Sequence, residues 1–153
     1  MGYFDKIEKA DTKNMNRTLK VDKVLLSRLI TLNPFITSNF WKIIKTLNIK
    51  PDMNQDYLSD TIMYAYGKLG SRHLSSMIAD KVDVVRNKIE DIYRSNEDNN
   101  DVLLPFGDDF HEDYYTQIVA LGLGEYTKFM RAPKQYIMKN RDSPFINFLY
   151  IFD

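Results

Sequence analysis

The chain has 153 residues, 44% of them apolar, with no cysteine and a formal net charge of zero. That length suits one domain burying roughly 70% of its unfolded surface, and the missing thiols exclude disulfides, thiolate metal sites and cysteine nucleophiles. No apolar run approaches the ~20 residues needed to span a membrane, and "MGYFDKIEKADTKNMN" resembles neither a secretory signal nor a myristoylation site, so a cytoplasmic protein is expected.

Residues 3–10 fit a short helix. "VDKVLLSRLITLNP" reads as the next one: Asp22 suits the N-cap, Leu25, Leu26, Leu29, Ile30 and Leu32 form an apolar face, and Pro34 should end it. In "TSNFWKIIKTLN" Ser38 is a candidate cap, with Phe40, Trp41, Ile44 and Leu47 turned inward; Pro51 marks the following turn. "NQDYLSDTIMYAYGKLG" predicts a helix capped by Asn54. Its buried side comprises Tyr57, Leu58, Thr61, Ile62, Ala65, Tyr66 and Leu69, and Gly70 suits a left-handed stop.

Residues 71–95 carry Leu74, Met77, Ile78, Val85, Ile89 and Ile92 at helical spacing, as one helix or as two broken near Asp80. "NEDNNDVLLPFG" reads as a loop, since Asn, Asp, Pro and Gly compete with helix. Helices over 109–121, 125–131, 134–140 and 145–151 complete the chain, although "FINFLYIF" also fits a buried strand. The fold class is therefore all-α: a compact bundle of about six to eight helices in a single domain, with residues 1–20 as a candidate basic arm.

The segment "GDDFHEDYY" at 107–115 admits three readings. As a helix start, Asp108 or Asp109 caps free N–H groups and the acids complement the positive helix end. As a metal site, Asp108, His111 and Glu112 share a helical face. As a catalytic cluster, its carboxylates would move protons. The first needs no further partner, and neither a metal nor another cofactor is expected. Asp52, Asp56 and Asp60 recur every four residues, the pattern of a solvated stripe. A Walker phosphate loop, a dinucleotide fingerprint and a serine-nucleophile elbow are all missing from the sequence, so binding rather than catalysis is expected.

Charge is segregated along the chain. No Lys or Arg lies between Arg94 and Lys128, whereas Lys128, Arg131, Lys134, Lys139 and Arg141 follow with no acid among them. In "KFMRAPKQYIMKNR" these cations would meet phosphates while Phe129 and Tyr136 stack on bases. The competing reading is a solvated face whose Phe, Met, Tyr and Ile point into the core. Lys6, Lys9, Lys13, Arg17, Lys20 and Lys23 make a second basic group near the start of the chain.

In order and spacing, "YFDKIEKA", "LLSRLITLNPF", "QDYLSDTIMYAYGK", "SRHLSSM" and "KIEDIYRSNEDN" resemble the small, non-ATPase subunit of the sliding-clamp loader of tailed phages over residues 3–100. Ser27–Arg28 stands where that family has Asn-Arg, its basic run is reduced to Lys68 and Arg72, and Met77 replaces an aromatic. The resemblance implies a non-catalytic subunit that contacts an ATPase partner and helps to hold primer–template DNA, with Arg28, Lys68 and Arg72 as the positions carried over. An Asn-, Ile-, Lys-, Asp- and Tyr-rich composition accords with an AT-rich genome such as a phage's. A different expectation is a phage or viral protein that inhibits a host protein through an acidic surface at 97–113.

Overall fold

The computed structural model describes residues 21–50, 56–95 and 111–140. These residues form an all-α bundle without a strand. In chain order the helices are α1 (Lys23–Leu29), a 3₁₀ turn (Thr37–Asn39), α2 (Phe40–Leu47), α3 (Asp56–Ser95), α4 (His111–Ala120), α5 (Leu123–Arg131) and α6 (Pro133–Asn140). Among the described residues no helix is long and apolar enough to cross a membrane.

Helix α1 starts as its sequence predicts. The Asp22 carboxylate accepts a hydrogen bond from the Leu25 amide at 3.0 Å, satisfying one of the free N–H groups at the helix start. It ends sooner than expected, at Leu29: Ile30 is the C-cap, and beyond it the Leu32 amide folds back on the Leu29 carbonyl in a tighter i→i−3 bond. Ile30 is consequently 61% exposed rather than part of the buried face. The Ser38 cap does not form either: residues 37–39 make a 3₁₀ turn, and α2 begins at Phe40 with no side-chain cap. Phe40, Ile43, Ile44 and Leu47 are buried at the 3.6-residue period of an amphipathic helix.

The spine of the bundle is α3, and a glycine bends it. Gly67 sits at φ 69°, ψ −173°, a region essentially reserved for glycine, so residues 56–66 and 68–95 run as two helical segments in different directions. The expected stop at Gly70 is thereby corrected. Gly70 is buried inside the helix, where an added Cβ would lie 2.7 Å from Tyr66 Cβ and 3.2 Å from Pro34 Cγ. Helix continues unbroken through Asp80. An alanine Cβ at Gly67 would meet nothing within 4 Å, so Gly67→Ala isolates the backbone cost. The variant is expected to unfold in urea with about 1–3 kcal/mol less stability.

Helix α1 packs along the first segment of α3. The Asp22 amide donates to Thr61 Oγ1 at 3.1 Å, and the Tyr66 hydroxyl donates to the Leu29 carbonyl at 2.9 Å. Both sequence numbers rise together, so the two helices run parallel. Helix α4 runs antiparallel to the second segment: Arg86 donates to the two Glu112 carboxylate oxygens at 2.8 and 2.5 Å and lies 5.9 Å over the Tyr115 ring, while Tyr93, two turns on, meets the His111 ring at 6.4 Å. Helices α4, α5 and α6 follow one another through short turns, and α6 returns to α3. One cluster joins these elements, including Leu29, Ile44, Leu58, Ile78, Ile89, Ile118, Phe129 and Ile137.

Two expectations about burial are corrected. Asp60 is 3% exposed: it begins a run of four consecutive buried residues, Asp60 to Met63, where α3 is enclosed on every side, so no solvated stripe runs through it. Leu69, expected inward, is 72% exposed; the bend at Gly67 turns the helix beyond it onto a new face. The N-terminal basic group up to Lys20, the Asn54 cap, Asp52, Asp108, Asp109 and the 145–151 segment lie outside the described residues.

Candidate nucleic-acid interface

Where α2 ends, the chain turns sharply. Asn48 adopts the left-handed conformation (φ 49°, ψ 52°), and its amide closes the helix on the Ile44 and Lys45 carbonyls. Asn tolerates this conformation better than other side chains that carry a Cβ. The turn buries Ile49 and leaves Lys50 exposed on the same rim as Lys42 and Lys45. A second sharp turn stands opposite. Gly122, at φ 104°, ψ −177°, lets α4 pass into α5 within two residues, and having no side chain it cannot cap α5. The first amides of α5 therefore end in a helix start with a partial positive charge.

Between these two turns lies an open groove of about 990 Å³. Lys42, Lys45, Lys50, Lys128 and Arg131 line it, and among the described residues no Asp or Glu does. Its floor is apolar, with Ile44, Ala120 and Leu121 among the lining residues, and Trp41 stands at its edge. The Trp41 and Tyr126 rings lie 5.0 Å apart, and the Lys81 ammonium sits 5.9 and 5.8 Å from their centroids, adding charge behind the aromatic wall. Positive charge focused in a low-dielectric cleft attracts anions more strongly than the same charge spread over a convex surface.

The sequence-derived site residues separate into groups. Lys128 and Arg131 line the groove, and Lys128 also pairs with Glu125 at 3.2 Å. Lys139 lies with Lys128 beside a smaller hollow of about 390 Å³. Lys134 is exposed on α6. Arg28, Lys68 and Arg72 do not line the groove, and Arg141 lies outside the described residues.

Base stacking by Phe129 and Tyr136 is corrected: they are 0% and 7% exposed. They meet edge to face at 5.7 Å, and the Tyr136 hydroxyl donates to Glu125 at 2.8 Å. Burial, reinforced by that hydrogen bond, raises the Tyr136 pKa well above its ordinary value. The side chains of this stretch that face the core are thus Phe129, Tyr136 and Ile137, and those that face the groove are Lys128 and Arg131. Sequence reasoning missed Trp41, Lys42, Lys45 and Lys50, whose available signal was a tryptophan followed by three lysines with no acid from residue 23 to residue 50.

At the other acidic segment, Glu112 is bound by Arg86, which also contacts Asp83. These hydrogen bonds, that to Glu112 foremost, raise the Arg86 pKa further. Among the described residues no group of three or more His, Cys, Asp or Glu could hold a metal ion. Of the acidic surface at 97–113, only its last three residues are described. Comparison with protein-family models, with curated proteins and with solved structures finds no match to the chain.

Proposed function

We propose that the protein is a non-catalytic accessory subunit of a phage-type DNA replication complex, and that it holds a nucleic-acid strand in the groove between α2 and the α4–α5 turn. The observation that carries the reading is the set of five cations lining one groove, with no carboxylate beside them among the described residues. Trp41 at its edge supplies a flat apolar face on which a base stacks, and the lysines meet consecutive phosphates. The replication context is supported by the resemblance to clamp-loader small subunits over residues 3–100, which implies an ATPase partner.

Filter binding of a radiolabelled deoxythymidine oligonucleotide across a salt series tests this reading. Five phosphate contacts give a slope of log affinity against log salt of about −3 to −4 for a single strand. The double variant Lys45→Ala/Arg131→Ala is expected to flatten that slope by about 1.4 units and to weaken binding at low salt by about tenfold or more. Both side chains are exposed, so the variant should keep its helical circular dichroism. Oligonucleotide retention that is absent, independent of salt, or unchanged in the double variant would refute the proposal.

A further inference from the structure

A second face of the molecule has the character of a protein-docking surface. The loop after α1 lies against the bend of α3: the Phe35 ring stacks on His73 at 4.8 Å, Tyr66 reaches the Leu29 carbonyl, and Pro34 closes over Gly70. This junction leaves large apolar side chains in water. Ile30 is 61% exposed, Phe35 56%, Ile36 48% and Leu69 72%. Leu69 precedes His73 by one helical turn, so it shares a face with the residue that Phe35 covers. Large apolar side chains gathered on one surface mark interaction sites more often than the scattered exposure found elsewhere.

The charge around this surface selects its occupant. Residues 24–40 and 61–79, which build the junction, contain three cations, Arg28, Lys68 and Arg72, and no Asp or Glu. Arg28 lies in the last turn of α1, and Lys68 and Arg72 occupy adjacent turns of α3 beside Leu69. We infer that this face docks a partner protein through an acidic segment carrying aliphatic or aromatic side chains, the apolar groups covering Leu69, Phe35 and Ile36 while the acids meet Arg28, Lys68 and Arg72. A nucleic acid fits less well, because Ile30, Ile36 and Leu69 offer bases no flat ring, and one face of the exposed Phe35 ring is already taken by His73. The inference is independent of the groove's ligand.

Panning a randomised 16-residue peptide display library on the immobilised protein, followed by calorimetry with the selected synthetic peptides, tests it. Enriched sequences should combine Asp or Glu with Leu, Phe or Trp. Their affinity should fall about tenfold or more with Leu69→Asp and severalfold with Arg72→Glu, and it should survive Lys45→Ala/Arg131→Ala. Leu69 is mostly exposed, so Leu69→Asp should melt within a few degrees of the parent.

Enrichment of neutral or basic peptides, or binding indifferent to Leu69→Asp, overturns the inference. So does a Leu69→Asp variant that loses oligonucleotide binding as the groove variant does, which would assign the face to nucleic acid. Sedimentation showing a dimer that Leu69→Asp dissociates overturns it as well, in favour of a second copy of the chain.

Discussion

Phe129→Ala is expected to lower the unfolding free energy by about 3–5 kcal/mol. The ring is 0% exposed and packs edge to face on Tyr136, so its removal loses apolar burial and leaves a cavity that neighbouring helices cannot fill without moving. Against a total stability of about 5–15 kcal/mol for an ordinary domain, that is between about a fifth and all of it. The loss has a functional side, because α5 carries the groove's Lys128 and Arg131 on either side of this anchor. Phe129→Leu keeps most of the apolar volume and should cost only about 1–2 kcal/mol. Urea unfolding followed by circular dichroism measures both. An alanine variant within 1 kcal/mol of its parent would show that α5 is held some other way.

Raising the pH is expected to unfold the protein cooperatively above about 10. Tyr66, Tyr114, Tyr115 and Tyr136 all have pKa values raised above the ordinary 10.0, with burial the largest cause in each. The folded-state pKa is the higher one, so the unfolded chain gives up these protons first. Their contribution to stability is complete below the unfolded value and drains away as pH rises past it towards the folded values. Tyr66 shows the cause most directly, since its ionisation removes the hydroxyl proton donated to the Leu29 carbonyl. Tyrosinate absorbance and loss of helical signal should therefore rise together. Complete ionisation of all ten tyrosines near pH 10 with the helices intact would contradict this account.

Much of the helical architecture is legible in local pattern. Asp22 before an apolar period, Phe40, Ile44 and Leu47 in α2, and the Leu74–Ile92 series in α3 declare helices and their buried sides, because amphipathic spacing is set by the helix itself. The bend was not legible. Gly67 and Gly70 are both plausible breaks, and the choice depends on Pro34 and Tyr66 closing around Gly70, a contact between residues far apart in the chain. The exposure of Leu69 and the burial of Asp60 follow from how α3 bends and is enclosed, which no single-helix period contains.

The binding site was half legible for the same reason. Lys128 and Arg131 stood out as a run without acids, but their counterparts Lys42, Lys45 and Lys50 sit some eighty residues earlier. They join the groove only because Asn48 and Gly122 both turn the backbone at its two walls.

Trp41 is the sole tryptophan of the chain, and it sits on the lip of the groove with a tyrosine ring and an ammonium group at its back. An indole so placed is a built-in optical reporter. Its emission colour and intensity respond to whatever enters or leaves the cleft, without an attached dye, so occupancy can be followed in the unmodified polypeptide on the timescale of mixing.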